Sequence, residues 1–451
     1  MASARAPGPA RSSAPANGSR VPLLAVRDLK VHFALRGTFT QRMLGRHVGA
    51  VRAVDGVSFE LRRGEVLGLV GESGSGKTTL GRAILSLVKV TGGEILLEGE
   101  LVSGLPERQF RPLRRRMQLV FQDPHASLNP SMTLLEAVGH PVRIHRVARS
   151  REEVATLVGA ALERVGLVPV ERFLSKYPGD LSGGQKQRAV LARAIILGPE
   201  LVVADEPVSM LDMSVRAKVL QLMLDLKRDL GLTYLYITHD LATARFLCDR
   251  IAIMYLGRIV EIGSADEVYE NPRHPYTKSL LEAIPAPDPH HRIPRDLPRG
   301  EVPDAAVPPL GCSFHPRCPR AFGPCGWESR DLRALVEARW ATLDPAEYQR
   351  ERSTLGDLAT LSEPTPEFVV PAGSHHSGAD VADLLRAHRT ADPDEPMWRG
   401  IVAMEPVAAG VRIRFRPSVD PILQPVGGDG DEGRAKVACH LYRDDLVTRS
   451  G

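Results

Sequence analysis

Residues 65–70, Glu65-Val66-Leu67-Gly68-Leu69-Val70, run almost without a polar break into Gly71-Glu72-Ser73-Gly74-Ser75-Gly76-Lys77-Thr78, and a helical pattern follows over 77–88. No other stretch limits the fold so sharply. An apolar run of this length suits a strand covered on both faces in a parallel sheet, and parallel neighbours need a crossover, here a helix starting at Lys77. The loop between them fits G-x-x-x-x-G-K-[ST], whose glycines let backbone N–H groups close around a β-phosphate. On this reading Gly71, Ser73, Gly74, Ser75, Gly76, Lys77, Thr78 and Thr79 bind a nucleotide. Lys77 reaches the β- and γ-phosphates, and the Thr78 hydroxyl is a ligand for Mg²⁺.

A second glycine pair, in Leu181-Ser182-Gly183-Gly184-Gln185, opens a second predicted helix over 185–197. Unpaired N–H groups and a positive dipole end make such a terminus another anion site. Two anion sites on one chain point to one nucleotide held between two copies. Further on, Leu201-Val202-Val203-Ala204 delivers Asp205 and Glu206 at a strand's C-terminal edge, where open α/β sheets bind ligands. Asp205 is expected in the Mg²⁺ shell and Glu206 as the general base for the attacking water. His239 closes the strand predicted at 233–237 and is assigned to sensing the γ-phosphate. Gln122 ends another strand, where a neutral amide can contact both metal and water. Phe33, at the end of the first strand, is read either as a ring that stacks on adenine or as core packing.

At 451 residues the chain exceeds one compact core, and 43% hydrophobic with 25% charged residues is the balance of a globular protein. No apolar run reaches the roughly 18 to 20 residues of a membrane helix. Residues 1–20, rich in Ala, Pro, Ser and Arg, lack an apolar signal core and read as a flexible tail, so a cytosolic location is expected. A net charge of +4 is too small to call for nucleic acid, and the basic segment 36–52 reads as a solvated loop. Alternation over 24–33 and 51–61 predicts antiparallel strands, and helical periodicity over 133–168 predicts a helical lobe set into the α/β core. A strand pair at 250–262 closes the core, and 284–309 reads as an extended linker. Residues 329–434 read as a small α+β insertion, with helices at 331–340 and 379–388 and strands at 400–404 and 410–416.

Taken together and in this order, the motifs resemble the ATP-binding-cassette family. Walker A lies at 71–78, the Q-loop at Gln122, the signature at 181–185, Walker B at 201–206, the D-loop at 209–212 with Asp212, and the switch histidine at His239. The likeness covers roughly residues 22–265. It implies a P-loop ABC ATPase core of α/β class with an antiparallel β subdomain, an inserted helical subdomain and a cysteine-containing C-terminal extension. The expected boundaries are 1–20 tail, 21–268 ATPase with its helical part near 124–185, 269–328 C-terminal region, 329–434 insertion and 435–451 closing segment. The family pairs two cassettes head to tail, so Ser182, Gly183, Gly184 and Gln185 of one would complete the γ-phosphate site of the other.

Phe121-Gln122-Asp123-Pro124, Ser127-Leu128-Asn129-Pro130, Asp205-Glu206-Pro207-Val208-Ser209 and Asn271-Pro272-Arg273-His274-Pro275-Tyr276-Thr277 look like the oligopeptide/dipeptide importers, closest to the second of their two ATPase subunits. That resemblance implies an ATPase using ATP and Mg²⁺ on the cytoplasmic face of the membrane. Its expected partners are a paired ATPase subunit, more in keeping with a heterodimer, two membrane permease subunits and, indirectly, an external peptide-binding protein. Importers of nickel or sugar, and a soluble cassette protein outside transport, are the competing readings. Met210 departs from the alanine usual in the D-loop. More than a hundred residues between Cys325 and Cys439 also have no family counterpart.

Cys312, Cys318 and Cys325 are spaced C-x5-C-x6-C, and Cys439 stands far downstream. Some family members hold a [4Fe–4S] cluster at matching cysteines; zinc and unligated thiols are the alternatives, zinc being disfavoured because its structural sites use C-x₂₋₄-C pairs. A shared cluster needs the insertion to be a loop whose ends meet. Closing a longer loop costs only ~0.6 kcal/mol per doubling, so length does not forbid it. Cys248 reads as a small buried hydrophobe.

Overall fold

The computed structural model describes residues 21–35, 49–284, 300–426 and 435–447. The expected tail, most of the basic 36–52 segment and much of the 284–309 linker lie outside these. In chain order the first strands are β1 (Leu24–Ala34), β2 (Ala50–Leu61), β3 (Val66–Val70), β4 (Gly92–Leu97), β5 (Glu100–Leu101), β6 (Met117–Val120), β7 (Leu201–Asp205), β8 (Thr233–Thr238), β9 (Arg250–Tyr255) and β10 (Arg258–Ser264). The later ones are β11 (Glu367–Pro371), β12 (Ile401–Val407), β13 (Gly410–Phe415), β14 (Gln424–Pro425) and β15 (Lys436–Val437).

The main sheet runs β14-β15-β10-β9-β3-β8-β7-β6, and its centre, β9 through β6, is parallel. Every residue of β3, β7 and β8 is buried, as the unbroken apolar runs require. Register decides where the chemistry falls. Val70 lies opposite Thr238, Asp205 opposite Ile237 and Val120 opposite Ala204, so β3, β6, β7 and β8 finish level at one edge. The residues that follow each strand therefore stand side by side despite their separation in sequence.

The second sheet, β2-β1-β4-β5, is antiparallel and covers the phosphate-loop side. Gly76 shows how closely. Its φ is 98°, and a Cβ there would lie 1.9 Å from the Ala53 carbonyl oxygen on β2, so only glycine closes this loop. Helices Leu134–Ile144 and Arg151–Arg164 form the helical lobe, each started by a Thr or Ser capping box. Val138, Val142, Val158 and Leu162 are wholly buried in one core with Ala189, Leu191 and Ala192 of the helix Gly183–Ile195. No helix among the described residues is long and apolar enough to cross a membrane.

The insertion is α+β. Helices Ser329–Trp340, Pro345–Thr354 and Gly378–Ala391 accompany an antiparallel sheet of order β11-β13-β12. On β13 Val411, Ile413 and Phe415 are buried and share a core with Val381, Ala382 and Leu385 of the last helix. β11 is the strand the periodicity hid. Prolines at 364, 366 and 371 give it the look of a linker, and only its pairing with β13 makes it a strand. After the insertion the chain returns to the main sheet, where β15 pairs with β10, Glu261 opposite Val437 and Ile262 opposite Lys436.

Candidate active site

The level strand ends bring Gln122, Glu206 and His239 together. Gln122 Nε2 donates to Glu206 Oε2 at 3.0 Å, and His239 Nδ1 lies 3.0 Å from Glu206 Oε1. Glu206 is thus held at both oxygens. Its φ is 47°, a left-handed conformation that costs a non-glycine residue about 1–3 kcal/mol and gathers at working sites. A hydrogen bond of 2.9 Å from its N–H to the Ile237 carbonyl keeps it there.

One residue earlier, Asp205 is buried and accepts from the Thr78 hydroxyl at 3.0 Å. Burial raises its carboxyl pKa above the usual carboxylate range, and the Thr78 bond works against that rise. Lys77 is buried as well. Its Nζ donates to the carbonyls of Gly71 and Glu72 at 2.8 Å each and lies 3.2 Å from Ser75 Oγ. Burial lowers its ammonium pKa, while Glu206, Asp205 and Glu72 pull the other way. Ser73 and Gly74 are exposed on the loop, Ser75 and Gly71 are buried, and Thr79 is half-buried on the helix Lys77–Ile84. Two hard oxygens, from Thr78 and Asp205, stand beside a lysine and a carboxylate held at both oxygens, a set whose chemistry suits Mg²⁺ and a triphosphate.

Phe33 is 45% exposed at the end of β1, so it is not a core residue. The signature residues do not join the Glu206 cluster by any hydrogen bond among the described residues. Ser182 Oγ accepts from Gln185 N at 3.4 Å, and Gln185 Oε1 accepts from Ser182 N at 3.0 Å, a capping box that starts the helix Gly183–Ile195. Ser182 and Gly183 are exposed. At Gly184 a Cβ would come within 2.5 Å of Val215 Cγ1, so this position is glycine because the next helix, Met213–Leu230, crosses it closely. Asp212 is exposed at that helix's start, with Met210 and Met213 exposed at 64% and 84% beside it.

Two residues here carried no signal in the sequence. Arg216 Nη1 donates to Asp240 Oδ2 at 3.2 Å and its Nη2 to the Leu211 carbonyl at 3.4 Å. Asp240 also caps the helix Leu241–Leu247. Arg216 thereby ties the loop before Asp212 to the residue after His239, and the two line one cavity with Glu206, Ser209 and Thr243. Nothing in a helical arginine announces this; a pairing that depends on two helix starts meeting is set by topology.

The extension builds a second cavity, lined by Cys312, Cys318, Cys325 and Cys439 with His274 and His440. All four cysteines are free thiols. Burial raises the pKa of Cys312 to about 11 and those of Cys318 and Cys439 to about 12, with Cys325 raised in the same direction. Among the described residues no group of three or more His, Cys, Asp or Glu side chains stands close enough together to hold a single metal ion. Cys248 lies in the main core, and a Cβ at Gly68 of β3 would come within 2.7 Å of its sulfur.

Over residues 54–209 the sequence matches the ABC transporter family, and over 260–325 it matches the oligopeptide/dipeptide transporter C-terminal region. It is 46% identical over 317 residues to a putative peptide import ATP-binding protein of Brucella ovis, covering 70% of this chain and 96% of that one. It is 46% identical to the oligopeptide transport ATP-binding protein AppF of Bacillus subtilis, over 67% of this chain and 91% of the relative. The oligopeptide transport ATP-binding protein OppF of Escherichia coli is 45% identical, over 67% and 90% of the two chains.

Proposed function

Because this chain belongs to the ATP-binding-cassette ATPases of oligopeptide and dipeptide transporters, we propose that it hydrolyses ATP to drive peptide uptake through separate membrane permease subunits. The observation that carries the chemistry is Glu206, held at both oxygens by Gln122 and His239, beside the Thr78–Asp205 pair. Lys77 gives up its loop carbonyls for the β- and γ-phosphate oxygens, a stronger, charged acceptor. Thr78, Asp205 and Gln122 would hold Mg²⁺, which supplies charge neutralisation across the two phosphates. Glu206 takes the proton of the attacking water. His239 keeps that carboxylate aimed and reports on the γ-phosphate; Phe33 offers an exposed ring to the adenine.

The exposed signature supports a site completed by a second cassette. Ser182, Gly183, Gly184 and Gln185 of a paired ATPase subunit, more in keeping with a heterodimer, would face the γ-phosphate bound by this chain, with Asp212 at the seam. Two permease subunits would dock this assembly at the cytoplasmic face, an external peptide-binding protein would supply cargo, and closing of the cassettes would reach the permeases through the segment after Gln122. We further assign Cys312, Cys318, Cys325 and Cys439 to a [4Fe–4S] cluster. Support comes from the four cysteines that line one cavity, three of them buried and Cys318 half-buried, the donor type such a cluster takes. Peptide uptake tests the whole reading. Cells whose own copy is deleted should lose uptake of a labelled tripeptide and regain it with the wild type but not with Glu206→Gln; uptake restored by Glu206→Gln would refute it.

A further inference from the structure

Glu72, the second residue of the phosphate loop, is gripped from three directions. Its carbonyl accepts from Lys77 Nζ at 2.8 Å, and its N–H donates to Tyr276 Oη at 2.9 Å. Its carboxylate accepts a fork from Arg317, Nη1 to Oε2 at 2.9 Å and Nη2 to Oε1 at 3.3 Å. The loop lysine therefore shares one residue with two side chains from the C-terminal region. Tyr276 lies on the helix Pro275–Glu282 and is fully buried, while Arg317 stands in the turn between Cys312 and Cys318.

The surroundings hold this arginine in one pose. Its guanidinium lies 5.8 Å from the ring centre of Tyr255 and 5.9 Å from that of Phe314, and Nη1 reaches Tyr255 Oη at 3.4 Å. Tyr255, Tyr276 and Phe314 pack against one another with centroids 4.7 to 5.3 Å apart. A partly buried ion pair such as this adds little net stability once desolvation is counted, but a planar fork between aromatic faces fixes direction, which a lysine cannot reproduce. The backbone beneath is equally tied. Arg317 N donates to the Phe314 carbonyl at 3.0 Å and Cys318 N to the His315 carbonyl at 3.2 Å. The His315 ring spans from the Cys312 carbonyl, 2.8 Å away, to Asp331 of the insertion's first helix, 3.0 Å away.

We propose that Arg317 and Tyr276 are positioning residues for the phosphate loop, acting through Glu72, so that ATP affinity depends on the arrangement of the cysteine turn. The geometry makes this a short lever. Arg317 directly precedes Cys318, whose side chain lines the four-cysteine cavity, so a change at that sulfur reaches the loop through one residue and one ion pair. Glu72 passes it to Lys77 because the residue whose carboxylate Arg317 holds also offers its carbonyl to Lys77 Nζ. This inference rests on the ATPase reading above.

The test uses the full-length chain and reads three quantities: kcat and KM for ATP, equilibrium binding of a fluorescent ATP analogue, and amide exchange over residues 71–78. Glu72→Gln leaves the cysteine turn untouched, and Arg317→Lys keeps a buried cation, so both should fold. Each should weaken ATP binding and raise KM about tenfold, leave kcat within about twofold, and speed exchange in the loop. The double variant should be no worse than either single one. Cys318→Ser should raise KM in the wild-type background and not in Arg317→Lys. Unchanged binding and exchange in Glu72→Gln, or additive losses in the double variant, would overturn the proposal. Wild-type chain that binds no ATP would overturn the ATPase reading itself, whereas normal wild-type binding with unaltered variants overturns only the lever.

Discussion

The nucleotide site and the four-cysteine cavity both gather residues from distant parts of the chain, but they are assembled differently. At the nucleotide site one parallel sheet does the gathering, and each functional group follows a strand end: Gly71 after β3, Gln122 after β6, Glu206 after β7 and His239 after β8. The cysteine cavity has no such frame. Three of its cysteines come from one irregular segment, His274 from a helix start, and Cys439 with His440 returns only because β15 adds to β10 after the insertion. A sheet edge tolerates exposed, hydrogen-bonded charge; the cavity walls are thiols and imidazoles, buried except for the half-buried Cys318. The first arrangement is robust to insertions elsewhere, and the second depends on an insertion folding well enough to bring its ends together.

That contrast predicts separable failures. The largest is at the signature. Gly184→Asp places a side chain where only 2.5 Å separates the position from Val215 and sets a negative charge at the helix N-terminus that the proposed mechanism turns toward phosphate. Hydrolysis should fall about 100-fold, by analogy with losing one transition-state donor, while ATP binding to the isolated chain survives. A filter-binding assay beside a phosphate-release assay checks this. Loss of both in parallel would mean the signature belongs to this chain's own pocket.

The next effect belongs to the insertion. Glu351 is buried and accepts from Arg339 Nε at 3.0 Å and Trp340 Nε1 at 3.1 Å. Glu351→Ala removes the shared acceptor of the half-buried Arg339 and Trp340 donors, a loss of about 1 kcal/mol once solvent is allowed to take over part of the contact. A lower urea midpoint for the insertion should accompany a weakened four-cysteine cavity, with kcat little changed. An equal loss of kcat would show that the two regions are not separable.

The smallest effect is on pH dependence. His388 is buried with Nε2 3.0 Å from Glu351 Oε1, close as an ion pair yet out of line for a hydrogen bond. Burial lowers its pKa, with Glu351 opposing. A histidine whose folded pKa lies below its unfolded one takes up more protons when unfolded, so stability is lost as pH falls below about 6.5. Melting temperature should drop from pH 7 to pH 5, and less steeply in His388→Gln. Equal slopes would remove His388 from the account.

The same contrast decides what could be read from the chain. Residues 65–78 are legible because strand, loop and helix are contiguous and each has its own pattern. Asp205, Glu206 and His239 are legible because an apolar run ends on them. The insertion's helices at 331–340 and 379–388 appear as Ser329–Trp340 and Gly378–Ala391, longer by a capping turn at the margins. β14 and β15 are two residues each, too short for any periodicity, and exist only through pairing. The Arg317–Glu72 fork spans 245 positions and leaves no local trace. Arg216 and Asp240 are similar: chemistry-bearing pairs joined by topology rather than by spacing.

The central claim is that Glu206, braced by Gln122 and His239, is the base that activates water. Single-turnover hydrolysis by wild type and Glu206→Gln, with ATP affinity measured on the same samples, tests it most directly. The account predicts a rate at least about 100-fold lower, within the span expected for a general base, with unchanged affinity and accumulation of a closed dimer of cassettes. Hydrolysis at the wild-type rate in Glu206→Gln would contradict it.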